Sequence, residues 1–300
     1  MLTGIHILLS YKCLYQCDHC FVYSSPNAKG TFTLEQIYKV LDEASKIGTI
    51  RWIYFEGGEP FLYYPLMLEG IKIAKIRGFR VGVVTNGYFA TTEADAERWL
   101  IPLRKMKISD LSISDDSFHS NGTDCNPAKT AIAAAKKLGI RVSSISVGEP
   151  NVETNSSIVQ KKGKPVIGGD VMFRGRAADK LVNGLPLTPA EEFKDCPHED
   201  FKNPERVHVD SYGNVHLCQG LSMGNMWETP LSVLVKNYNY ATHPICRYLT
   251  EGGPLLLAKE YEIKHEGKFV DACHFCYILR KSLLDNFPQY LVPKQVYGIE

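Results

Sequence analysis

"GIHILLSYKCLYQCDHC", residues 4–20, joins an apolar run directly to three cysteines. Residues 4–10 read as a short buried strand, because a continuous apolar run is bounded by glycine and serine. Cys13, Cys17 and Cys20 follow with gaps of three and two residues. Soft thiolates so spaced on one loop can wrap a [4Fe–4S] cluster or a zinc ion. A zinc knuckle would recruit His19 or a distant cysteine as the fourth ligand. A cubane held by three local thiolates would leave one iron open to an outside ligand.

Outward from this stretch, strand and helix signals alternate. "TLEQIYKVLDEASKIG" (33–48) reads as a helix, with a capping box from Thr33 and Gln36 and a stop at Gly48. Its apolar residues Leu34, Ile37, Leu41, Ala44 and Ile47 fall on one helical face. Strand signals recur at 50–58, 80–87, 110–116 and 141–147, with helices expected at 65–77, 92–105 and 127–138. Five β/α repeats predict an α/β fold with a parallel sheet, either open or curled into a partial barrel. Loops after the strand C-termini would carry the function. Residues 165–179 are the candidate sixth strand. The text changes near 185, and "RVHVDSYGNVHLC" (206–218) reads as a hairpin turning at Tyr212-Gly213-Asn214. The expected domains are a core over 1–183 and a smaller unit over 184–300.

The bulk numbers are ordinary for a soluble globular protein. Hydrophobic residues make up 44%, charged residues 22%, and the net charge is +1. No basic field advertises nucleic acid. No apolar run reaches the ~18 residues of a membrane span and no signal peptide is visible, so a cytoplasmic location is expected. Nine cysteines, odd in number and clustered, point to metal rather than disulfides in a reducing compartment.

The other strand ends carry polar groups. "EGGEP" (56–60) offers Gly57 and Gly58 for close backbone approach and Glu59 for an ammonium group. "TNG" (85–87) offers Thr85 and Asn86, and "SISDDSFH" (112–119) offers Ser114 and Asp116 for ribose hydroxyls or as a helix cap. An open iron beside these groups suits S-adenosylmethionine (SAM).

The triad of Cys13, Cys17 and Cys20 followed by Gly57-Gly58-Glu59-Pro60 resembles the radical SAM superfamily. The resemblance spans about residues 4–180. It implies a partial (β/α)6 barrel and a [4Fe–4S] cluster whose unique iron is chelated by SAM. By it, Gly57, Gly58 and Glu59 line the methionine amino group, with Thr85 and Asn86 nearby. Ser114 and Asp116 address ribose or carboxylate, and His19 packs near the adenine. Arg174 or Arg176, in "FRGRA" (173–177), would hold SAM or a substrate carboxylate, or stand solvated. Reduction would cleave SAM to a 5′-deoxyadenosyl radical that abstracts a substrate hydrogen.

A second set of cysteines lies late in the chain. Cys196, Cys218 and the pair Cys273 and Cys276 supply four thiolates for one metal, either iron–sulfur or zinc. Cys246 is a possible substitute for Cys196. The pattern resembles the SPASM/twitch extension of radical SAM enzymes, in its shorter form with one auxiliary [4Fe–4S] cluster. Cys125 and Tyr23 are weak catalytic candidates, each more readily read as an inert thiol and a wall residue. The resemblance implies oxidative modification of a peptide or protein. The chain begins almost at its first strand, which counts against an N-terminal peptide-recognition domain. Alternatives are dehydrogenation or rearrangement of a small molecule such as a sugar alcohol or nucleotide, and a non-enzymatic electron carrier. The implied electron donor is external, such as flavodoxin or ferredoxin; no membrane or nucleic acid partner is expected.

Overall fold

In a computed structural model, residues 1–120, 126–154 and 165–299 are described. The strands are β1 (Gly4–Ser10), β2 (Trp52–Gly57), β3 (Arg80–Thr85), β4 (Asp110–Ser114), β5 (Val142–Ile145), β6 (Asn151–Thr154), β7 (Pro165–Gly168), β8 (Thr188–Pro189), β9 (Arg206–Asp210), β10 (Asn214–Cys218), β11 (Leu221–Asn225) and β12 (Lys268–Phe269). The helices are α1 (Leu34–Ile47), α2 (Tyr64–Ile76), α3 (Glu93–Lys105), α4 (Ser117–Ser120), α5 (Pro127–Lys137), α6 (Arg176–Lys180), α7 (Leu231–Asn237), α8 (Cys246–Glu260, kinked at Gly252-Gly253) and α9 (Ala272–Ser282).

Eight strands form one sheet in the order β11-β10-β9-β1-β2-β3-β4-β5. From β9 to β5 every pairing is parallel, which makes the partial barrel. The five expected repeats are present, and α1 starts on the Thr33–Gln36 capping box and stops at Gly48, whose φ is +75°. Ile5, Ile7, Leu9, Ile53 and Phe55 are fully buried and alternate with the residues of the opposite strand face. Each contributes roughly 1.5–3 kcal/mol by leaving water.

The sixth parallel strand is a correction to the sequence reading. Residues 165–168 pair with 151–154 as a separate two-stranded ribbon, and 170–175 carry no strand. The sixth strand is instead β9, at 206–210, docked beside β1 at the other edge. The turn after it holds Gly213 at φ +89°, as the hairpin predicts. Thus the sheet and its hydrophobic core run through position 184. Glu43 of α1 accepts from the backbone and hydroxyl of Ser232 at 3.0 and 2.6 Å, a further tie between early and late residues.

Tyr54 needs space on the sheet face opposite the helices, and Gly82 provides it. A Cβ at Gly82 would lie 2.1 Å from the Tyr54 ring. Among the described residues, no helix is long and apolar enough to cross a membrane.

Candidate functional site

The loop leaving β1 folds over the ends of β2 and β3. One cleft is lined by Cys13, Cys17, Cys20, His19, Gly57, Gly58, Thr85, Asn86 and Ser114, so most of the predicted residues converge. The glycines allow this. Gly58 N–H donates to Ser10 O at 2.6 Å, and a Cβ on Gly58 would fall 2.2 Å from Lys12 O. Gly57, at φ +137°, would place a Cβ 2.4 Å from Ser10 O. Any side chain here drives the cysteine loop away from β2.

Glu59 does not line the cleft. It is fully buried, and its two oxygens accept from Phe61 N at 3.0 Å, Thr85 Oγ1 at 2.8 Å and Asn86 N at 2.8 Å. Burial pushes its carboxyl up to about 7, against those three donors. It therefore braces the Thr85-Asn86 loop, and Asn86 Nδ2 reaches Cys13 Sγ at 3.6 Å. Asp116 is also set back. It accepts from His119 Nδ1 at 2.7 Å, and although burial opposes ionisation, His119 holds its carboxyl below the usual range. His19 packs on Phe118 with ring centroids 4.6 Å apart.

Two further candidates lie elsewhere. Arg174 Nη1 is 2.9 Å from Cys218 Sγ and 3.6 Å from Glu199, so it serves the late cysteines and not the cleft. The Tyr23 hydroxyl is tied to Asp179, with Arg176 over its ring, and faces a separate groove. Cys125 lies outside the described residues. Arg176 clamps the cysteine loop by its backbone: Nη1 donates to Cys17 O at 2.8 Å and Nη2 to Ser24 O at 2.6 Å.

Burial, then neighbouring negative groups, pushes the Cys13 and Cys17 thiols up to about 12. Three thiolates this close together persist only beside a compensating cation. Tyr15 N–H and Ser24 N–H already point at Cys13 and Cys20 sulfurs, 3.4 and 3.3 Å away. Size separates zinc from a cluster. Tetrahedral Zn–S bonds place sulfurs roughly 3.8 Å apart. Among the described residues, the groups of three donor atoms within 4.8 Å of one another contain no cysteine.

The late cysteines form a second cavity, lined by Cys196, Cys218, Cys273 and Cys276 with Arg174 and Arg280. Cys218 ends β10. Cys273 and Cys276 sit in the first turns of α9, whose N-cap Asp271 accepts from His274 N at 2.7 Å. The positive end of a helix favours thiolates there. Cys246 is absent from this wall; it is wholly buried, hydrogen-bonded with Tyr238, and burial pushes its thiol far up. Cys246→Ala is therefore expected to retain the iron of the second site. Cys196→Ala is expected to lose most of it, about four irons per chain, measured by iron analysis after anaerobic assembly.

The sequence profile of the radical SAM superfamily matches residues 7–156, half of the chain. The chain belongs to the radical SAM superfamily. This family uses a [4Fe–4S] cluster and SAM. Among curated relatives, the tungsten-containing aldehyde ferredoxin oxidoreductase cofactor-modifying protein of Pyrococcus furiosus is 31% identical over 62% of this chain and 53% of its own length. YydG of Bacillus subtilis, named provisionally for peptide biosynthesis, is 24% identical over 55% of this chain and 51% of its own. The chain thus spans about half the length of these relatives. The fold is similar to SuiB of Streptococcus suis, with a TM-score of 0.53 and 13% identity over 91% of this chain and 77% of that one. BtrN, in complex with AdoMet and 2-DOIA, also gives 0.53, at 18% identity over 79% of this chain and 83% of that one.

Three residues at these sites carried no distinctive sequence signal at first sight. Arg280 lies four and seven residues after Cys276 and Cys273, the spacing of one helical face, and that periodicity could have found it. Arg176 was visible only as one of two arginines. Glu56, on the cleft wall, carries in the sequence only the signal of a strand end.

Proposed function

We propose that this radical SAM enzyme oxidatively modifies a peptide or protein, using a SAM-bound cluster at the first three cysteines and one auxiliary [4Fe–4S] cluster at the cysteines beyond residue 184. The observation that carries the reading is the pairing of a three-thiol cleft with a closed four-thiol cavity. Cys13, Cys17 and Cys20 would hold the first cluster, and Cys196, Cys218, Cys273 and Cys276 the second. When reduced with SAM bound, the first group supplies a carbon radical that takes a hydrogen atom from substrate. Gly57 and Gly58 give SAM backbone to lie against, while Thr85, Asn86, Ser114 and His19 offer polar and ring contacts around it. Glu59 and Asp116 hold those contacts in place from behind. Arg176 fixes the cysteine loop, and its neighbour Arg174 reaches the second site two residues away. The second cluster would take up the electron left by oxidation, and an external ferredoxin or flavodoxin would supply the first one.

The peptide reading draws support from AlbA, a subtilosin biosynthesis protein of Bacillus subtilis, 33% identical over 39% of this chain. A nucleotide dehydratase of Selenomonas ruminantium, 27% identical over 40%, represents the small-molecule alternative. Anaerobic enzyme with SAM and dithionite separates them. The expected result is formation of 5′-deoxyadenosine together with loss of two hydrogen masses from a peptide encoded beside the gene. Turnover of sugar alcohols or nucleotides, with those peptides unchanged, contradicts the reading.

A further inference from the structure

We propose that His6, Glu56 and His208 form a site for one divalent first-row transition ion, open toward the three-cysteine cleft. The three residues lie on adjacent parallel strands β1, β2 and β9. His6 is directly opposite His208 in the register, and opposite Tyr54, two residues before Glu56. Alternation along the strands puts them on the sheet face that the helices do not cover. His6 Nδ1 is 2.9 Å from Glu56 Oε2, and His208 Nε2 is 3.2 Å from Glu56 Oε1. All three donor atoms lie within 4.8 Å of one another. Bonds of 2.0–2.2 Å to a zinc-class ion put neighbouring donors roughly 3–4 Å apart, so little movement is needed.

The surroundings suit a cation. Among the described residues, the ion-pair partners of Glu56 are these imidazoles, with no lysine or arginine. A carboxylate flanked by two imidazoles, with no competing cationic side chain, is a donor set that suits a metal ion.

A second observation also points to a ligand. Glu56 Oε1 and Gln219 Oε1 are buried without a well-oriented donor. Gln219 is 4% exposed, and its amide lies 3.4 Å from His208 Nε2. No well-oriented hydrogen bond within the cluster uses Glu56 Oε1, and an ion between the imidazoles would take it. Two imidazoles and one carboxylate favour zinc or ferrous iron over magnesium or calcium. Three protein ligands leave at least one position free, and Glu56 borders the cleft shared by Cys13, Gly57 and Gly58. That position would take a substrate oxygen or nitrogen, a role that rests on the proposed function; ion binding does not. The other such group, His19, Asp116 and His119, belongs with the cleft already described.

The test uses the full chain with its clusters assembled anaerobically, incubated with zinc chloride, desalted and analysed for zinc and iron. The wild type is expected to retain about one zinc per chain, or one iron beyond the clusters when zinc is withheld. Glu56→Gln and His208→Ala are expected to lose that ion by ~10-fold or more while cluster iron and circular dichroism stay unchanged. His6→Asn is the second probe should His208→Ala misfold. A wild type with neither zinc nor surplus iron, or variants that keep the ion, overturns the proposal. A chain without cluster iron would defeat the cluster reading alone, because the zinc difference between wild type and Glu56→Gln still decides this one.

Discussion

Cys17→Ala is expected to lower 5′-deoxyadenosine formation by at least ~10³-fold, a barrier increase of about 4 kcal/mol. It should also halve the iron, from about eight to about four per chain. Cys17 is the middle member of the triad in sequence, and it lines the cleft together with Cys13 and Cys20. Among the described residues, no other cysteine lines that cleft to replace it. The four remaining irons report on Cys196, Cys218, Cys273 and Cys276, which line a different cavity. Iron analysis and chromatography of the SAM products check both parts. A variant that cleaves SAM at the normal rate would mean that the triad does not hold the reactive cluster. Loss of all iron would mean that the two sites are not built independently.

The fold was legible wherever structure is local. The capping box of α1, its glycine stop, and the alternation of buried residues in β1 and β2 are properties of a few neighbouring positions. The five β/α repeats followed from them. The sixth strand was not legible, because its place depends on which edge of the sheet is free. Residues 165–168 are β-branched enough to pair, but they pair with 151–154, while 206–210 take the edge beside β1. The same limit applies to the sites. Cysteine spacing identifies ligands along the chain, and the glycines of 57–58 announce a close approach. Nothing local says that Glu59 turns inward to Thr85 and Asn86, or that Arg174 leaves the cleft. Those outcomes are decided by contacts between segments far apart in sequence. Arg174 and Arg176 are two residues apart, on either side of Gly175, where the chain turns into α6. A Cβ on Gly175 would lie 2.5 Å from Phe21 Cα, so the turn is pressed against the cysteine loop. One arginine therefore holds the first site and the other reaches the second.

That arrangement predicts the electronic character of the second site. Arg174→Gln and Arg280→Gln are each expected to shift the auxiliary cluster's reduction potential downward by on the order of 100 mV. Both guanidiniums are buried, at 6% and 1% exposure, so water screens them little. Arg174 donates to Cys218 Sγ at 2.9 Å, and Arg280 hydrogen-bonds the Cys276 thiol from one turn further along α9. Reduction adds negative charge beside them, and a fixed positive charge ~6 Å away stabilises that state by about 3 kcal/mol at an effective dielectric of 20. Removing the charge and its hydrogen bond to sulfur makes the electron harder to accept. Potentiometric titration followed by paramagnetic resonance reads this directly, with iron content confirming that the cluster is still held. SAM cleavage at the first site should change little, because neither arginine lines that cleft. Substrate oxidation should slow in proportion to the lost driving force if the second cluster accepts the electron. An unchanged potential in both variants would show that the two buried charges are balanced by Glu199 and the protein dipoles, and serve only to pack the cysteines.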